Sequence, residues 1–256
     1  MTLRVPYIAD ETIERDAEDL LAQFAHVRKV EVTAPIPIED IVEKHLRLRV
    51  EFDDLHRLLG VPRGFGMEPD IFGAIWLETG EIVIDESLDP EERPAMEGRY
   101  RFTLGHEGGG HWRLHGPLIQ ASRGQESLFG DTRQPTVVCR SSQAKERVEF
   151  QADLYSSCLL MPRKLVLQAW RDQFGNDNPR VLRRKDRIVA PCDIEEEKLA
   201  AVRSFEQARD DEVLEHFSRS FAQQFLVSPV AMRVRLEKLG LLLREVPRQR
   251  ALLLGW

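Results

Sequence analysis

The sequence predicts a mixed helix-and-sheet chain, α+β in class, with a helical C-terminal part. Three features carry this reading. Apolar residues recur at helical spacing in several long runs. Short stretches alternate apolar and polar residues, the mark of half-buried strands. Two β-rich runs flank Thr79-Gly80, which marks a hairpin.

In chain order, Asp10 is placed to cap a first helix, and Ile13, Ala17, Leu20, Leu21 and Phe24 give it one apolar face. "PIPIEDIVEKHL" predicts a second helix, with Pro37 near its start and Ile38, Ile41, Val42 and Leu46 along one side. Leu48, Val50 and Phe52 then alternate with Arg47, Arg49 and Glu51, which predicts a half-buried strand. "IFGAIWLETGEIVIDES" supplies the hairpin. The stretch "RFTLGHEGGGHWRLHG" follows, then a polar segment, 117–140, read as a loop. "SQAKERVEFQADLYSSCLLMP" predicts a strong helix stopped by Pro162. The charged, proline-containing stretch after it reads as a linker. Beyond it, Leu214, Phe217, Phe221 and Phe225 form one apolar stripe, and "LVS" turns the chain. Ser228, Pro229 and Gly240 then bound a further helix, completing a helix-turn-helix outline. The expected organisation is a mixed domain over 1–175, a linker over 176–199 and a helical segment over 200–256.

The chain has 256 residues and a formal charge of -7, which argues against a general polyanion binder. Three cysteines at irregular spacing (Cys139, Cys158 and Cys192) suit a reducing compartment better than a disulfide framework. No apolar run suggests a signal peptide or a membrane span, so a cytoplasmic location and no membrane partner are expected.

Zinc in a hydrolase needs about three protein ligands and an open position for water. His106 offers an imidazole, and Glu107 beside it can take a proton from water. In the H-E-x-x-H helix the second histidine lies one turn above the first. Here it is His111, one residue later. On a regular helix that turns the two side chains about 140 degrees apart. A π-bulge, with its i→i+5 hydrogen bond, absorbs the extra residue, and Gly108 to Gly110 tolerate such a distortion. Glu149 and Asp153 lie at i and i+4, so they point the same way. Glu149 is a hard oxygen ligand, and Asp153 can accept the other ring N–H of a ligating histidine. Each half alone is an ordinary solvated feature, an isolated His-Glu pair or an acidic stripe. Two helices each offering half of one zinc site is the more specific pattern. His115 reads as a surface or packing histidine, and His26, His45, His56 and His216 as structural.

Taken together these segments resemble the ImmA/IrrE family of zinc metallopeptidases, over most of the chain. "RYRFTLGHEGGGHWRLH" is similar to its "RFTLAHELGHWLLH"-type helix, and "ERVEFQADLYSSCLLMPRKLV" to its "E-x-Q-A-N/D" helix ending in "LLMP". The N-terminal helix-strand, the hairpin and "FLVSPVAMRVRLEKLGLL" also fit. The resemblance implies a zincin-like domain, Zn2+ as the metal, Glu107 as general base, and a helix-turn-helix repressor as protein substrate. The H-E-x-x-x-H spacing departs from the family. It is similar to the one-residue-longer "HELLGH" helix of the dipeptidyl-peptidase zincins.

The expected chemistry is endopeptidase cleavage. Glu107 takes the proton of the attacking water and passes it to the leaving amine. "EIVID" is the expected sheet edge for a substrate strand, and Tyr100 and Tyr155 are candidate oxyanion donors. Two rival readings stand beside it. One is a regulator of the same family that binds without cleaving. The other is a DNA contact through the C-terminal helices, where Arg233, Arg235, Lys238, Arg244, Arg248 and Arg250 outnumber the acidic residues.

Overall fold

The computed structural model describes residues 5–61, 71–123, 135–140, 146–182 and 196–244. The fold is α+β and divides into two compact units, Met1–Val166 with Gln223–Ser228, and Leu167–Ala222 with Pro229–Trp256.

In the first unit, helix α1 (Asp10–Arg28) buries Ile13, Ala17, Leu20, Leu21 and Phe24, the face its periodicity predicts. Asp10 does not cap it. Asp10 is already helical, and Ala9 precedes it without a side-chain cap bond. The predicted second helix is wound as a π-helix over Asp40–His45, with Ile41 and Val42 buried. A four-stranded sheet follows, in the order β1 (Arg49–Asp53), β3 (Glu81–Asp85), β2 (Ile71–Trp76), β4 (Val137–Arg140). The hairpin forms as read, with β2 antiparallel to β3 and Gly80 at φ 70° in its turn. β1 joins β3 in parallel, pairing Val50 with Ile82. Between β1 and β2 runs the short helix α2 (Leu55–Leu59), capped by the Asp54 carboxylate on Arg57 N–H.

Three expectations need correction here. "EIVID" is not a sheet edge, because β1 covers its outer side; among the described residues the edges are β1 and β4. Phe52 is exposed rather than buried: it lies on an edge strand, its ring 5.4 Å from that of Tyr100. The segment 117–140 is not all loop. Helix α4 (Gly116–Arg123) continues directly from the preceding helix, and β4 pairs antiparallel with β2, Cys139 opposite Gly73. Residues 124–134 lie outside the described residues.

Helix α3 (Glu97–Gly105) and helix α5 (Arg147–Leu160) complete the first unit's core. Helix α6 (Arg163–Phe174) leads into the second unit, where Trp170, Phe174, Phe217 and Phe221 form an aromatic cluster with Trp170 stacked 5.6 Å from Phe221. Helix α7 (Glu196–Phe225) carries Phe217 and Phe221; a short turn and helix α8 (Pro229–Lys238) follow, with Gly240 at φ 71° just beyond. Strand β5 (Arg180–Val181) pairs in parallel with β6 (Leu242–Leu243). Of the segment 176–199 expected as a linker, 183–195 lie outside the described residues. No described helix is long and apolar enough to cross a membrane.

Candidate metal centre

The stretch between α3 and α4, His106–His115, is a π-helix. The sequence predicts a local bulge at the glycines; the distortion instead runs over ten residues. Its i→i+5 bonding returns His111 to the face of His106 despite the extra residue. The glycine run has a second cause, which is close packing. A Cβ on Gly108 would fall 2.8 Å from Val42 Cγ2, one on Gly109 2.6 Å from the Tyr155 ring, and one on Gly110 2.5 Å from Ala152 Cα. The π-helix thus lies against the backbone of α5, and α5 carries the third candidate ligand.

His106, His111 and Glu149 come together as the sequence predicts, with one potential ligand atom from each within 4.8 Å of the others. The two Nε2 atoms are 2.9 Å apart. Glu149 sets Oε2 3.2 Å from His106 Nε2 and Oε1 3.5 Å from His111 Nε2. Zinc bonds of 2.0–2.1 Å in tetrahedral geometry place ligand atoms about 3.3 Å apart. The cluster therefore has the dimensions of one small ion's shell. Asp153 Oδ1 lies 2.9 Å from His106 Nδ1.

The hydrogen bonds around these rings fix what the Nε2 atoms offer. Gln151 donates from Nε2 to the Pro6 carbonyl at 3.1 Å, and a carbonyl only accepts. Gln151 Oε1 therefore faces His115 Nε2, at 3.0 Å, and must receive a proton from it. Burial lowers the His115 pKa to about 4, so the ring is neutral and its Nδ1 is an acceptor. His111 Nδ1, 3.4 Å from that atom, is then the donor. Burial first, then His106 and His115, hold the His111 pKa well below its usual value, so His111 is also neutral and its Nε2 carries a lone pair. With Asp153 accepting from His106 Nδ1, the second Nε2 faces the first across 2.9 Å beside a carboxylate. Three such atoms repel one another unless they share a positive charge, either a proton or a metal ion.

Glu107 is fully buried, and neither carboxylate oxygen has a hydrogen-bond partner among the described residues. Burial pushes its pKa up to about 8, with His106 pulling it down and Glu149 pushing it up. Its side chain lies over β2 at Gly73, where a Cβ would come within 2.7 Å of Oε1. A carboxylate held in this way needs a donor or a proton.

The remaining candidates are spent elsewhere. Tyr155 donates its hydroxyl to Asp16 Oδ1 at 2.8 Å, and Arg113 Nε meets the same oxygen at 3.0 Å. Tyr155 therefore ties α1 to α5 and is not aimed at the cluster. Tyr100 is buried and packs on Phe52. Cys158 is a buried free cysteine. Of the two readings of His115, surface or packing, the structure agrees with the second: it is wholly buried. Neither His115 nor Gln151 stands out as functional from the sequence. The one signal is spacing: His115 is one turn beyond His111, and Gln151 sits between Glu149 and Asp153.

Among the C-terminal basic residues, Arg233 pairs with Glu215 and Glu237, Arg244 with Asp211 and Glu237, and Arg235 is buried. Arg248 and Arg250 lie outside the described residues.

No model of a known protein family matches this sequence, and no curated protein is significantly similar to it.

Proposed function

We propose that this chain is a zinc-dependent endopeptidase, with His106, His111 and Glu149 as ligands, Asp153 orienting His106, and Glu107 as general base. The observation that carries this is the meeting of two ring nitrogens and a carboxylate, supplied by separate helices, at the spacing of one ion's shell. The donor set suits zinc: borderline imidazoles and one carboxylate, as in hydrolytic sites of the two-histidine, one-glutamate kind. When bound, zinc would polarise a peptide carbonyl and acidify a water. Glu107 would accept a proton from the attacking water, which would also supply the donor its buried oxygens need, and would return it to the leaving amine. Among the described residues β4 is the edge next to β2, whose Gly73 backs Glu107, and an extended substrate strand would add along it.

The substrate class follows from the resemblance to ImmA/IrrE peptidases: a helix-turn-helix repressor, in the cytoplasm. A second reading is a regulator that binds such a protein without cutting it. The complete burial of Glu107 favours it, because a base must meet its water. Incubation of a candidate repressor with the zinc-loaded protein and with Glu107→Gln separates the two. Cleavage by the first and none by the second supports the peptidase. Equal binding with no cleavage by either supports the regulator. Undiminished turnover by Glu107→Gln removes Glu107 from the mechanism.

A further inference from the structure

We propose that His115, Gln151 and the Pro6 carbonyl form a positioning chain that presents the Nε2 lone pair of His111 to the metal. This rests on the metal reading above but concerns residues outside the ligand set. The two ligating rings are held differently. His106 has the arrangement expected of a metal-bound imidazole, its other nitrogen on a carboxylate. His111 has no carboxylate on its Nδ1 side. That side faces His115 at 3.4 Å.

An imidazole is symmetric enough to serve as donor or acceptor, so a second histidine alone leaves the His111 tautomer undecided. Gln151 decides it. Its amide is oriented from outside the site, because its nitrogen reaches the acceptor-only carbonyl of Pro6. Orientation then passes inward, from the Gln151 oxygen to His115 Nε2–H, and from His115 Nδ1 to His111 Nδ1–H. All three side chains are buried, so water does not compete for these bonds. A Gln151 turned the other way would leave the Pro6 carbonyl facing an oxygen, whichever tautomer His115 adopts. The chain also joins the segment before α1 to α5 and the π-helix.

The test uses the full chain with uniformly 15N-labelled histidine, the His111 signals being assigned by their loss in His111→Ala. Long-range 1H–15N correlations of the metal-free protein report the tautomer directly. The chain predicts Nδ1–H for His111 in the wild type. It predicts a mixed or Nε2–H form in His115→Phe and in Gln151→Ala. Zinc affinity, measured by competition with a chromophoric chelator, falls about 10–100-fold in His115→Phe. His115→Asn, which keeps an acceptor near the position of Nδ1, recovers part of the loss. A His111 that is Nε2–H in the wild type overturns the proposal, as does wild-type zinc affinity in His115→Phe with an unchanged tautomer. If His115→Phe does not fold, Gln151→Ala and His115→Asn carry the same comparison. Failure of the wild type to bind zinc would sink the metal reading alone, and the tautomer spectrum would still decide the chain.

Discussion

His106 and His111 face the same point from opposite kinds of support. His106 leans on Asp153, a charged acceptor that is partly exposed. His111 leans on neutral, buried side chains whose outer anchor, the Pro6 carbonyl, is only part-buried. A carboxylate partner strengthens an imidazole as a ligand and fixes its tautomer at one step, at the cost of competition from water. A neutral relay adds no charge, so it fixes direction more than basicity, and it works only where packing holds every member in place. The difference teaches that the extra residue of the π-helix is not isolated. The π-winding puts His111 on the ligand face, and His115, one turn on, then meets Gln151 of the facing helix.

The largest expected effects come from the shared point itself. His106→Ala or Glu149→Ala should lose essentially all bound zinc, measured by metal analysis after reconstitution, because two of three ligands do not close the site. Next, Asp153→Ala should weaken zinc by about 10–100-fold, and Gln151→Ala by less, since it removes a neutral support one bond further out. A chelator titration in which Gln151→Ala costs more than Asp153→Ala would reverse the ranking of the two sides. Gly110→Ala probes the seam between them. Its new Cβ meets the Ala152 backbone, which cannot swing aside as a side chain can, so thermal unfolding should show a loss of about 1–3 kcal/mol despite alanine's better helix propensity.

Glu107 belongs to neither side and supplies the most specific test. Its pKa is raised from 4.5 in the unfolded chain to about 8 in the metal-free fold. For a carboxyl so shifted, the folded state holds its proton longer. The contribution to stability is full below pH 4.5 and is lost as pH rises to about 8. Glu107→Gln cannot titrate, so its melting temperature relative to the metal-free wild type should climb across that window and level off above it. A constant difference between the two would mean that Glu107 has the same pKa in the folded and unfolded chains, and that burial does not raise it.

How much of this was legible in the sequence depends on the range of each interaction. The apolar face of α1, the hairpin around Thr79-Gly80, and the pairing of Glu149 with Asp153 rest on spacings within one element, and residue periodicity reports those. The need for an i→i+5 turn was also legible, because His106 and His111 cannot otherwise share a face. Its full length was not, nor was the close approach of Val42, Ala152 and Tyr155 to the three glycines, which depends on distant parts of the chain. The inward place of β3 escaped notice because a parallel neighbour arrives through a crossover and leaves no turn signal. β4 is four residues long amid polar sequence, too short for alternation to declare it. The His115–Gln151–Pro6 chain joins residues 36 and 145 positions apart, a juxtaposition that only the folded chain creates.

The central claim is that one metal ion is shared by His106, His111 and Glu149. X-ray absorption on the zinc-reconstituted full-length protein, with metal counted per chain, tests it most directly. The account predicts one zinc per chain, in a nitrogen and oxygen shell at about 2.0–2.1 Å that contains two imidazoles. It also predicts loss of that shell in His111→Ala and in Glu149→Ala. A folded wild-type protein that takes up no zinc would contradict the account, as would an unchanged zinc shell in both variants.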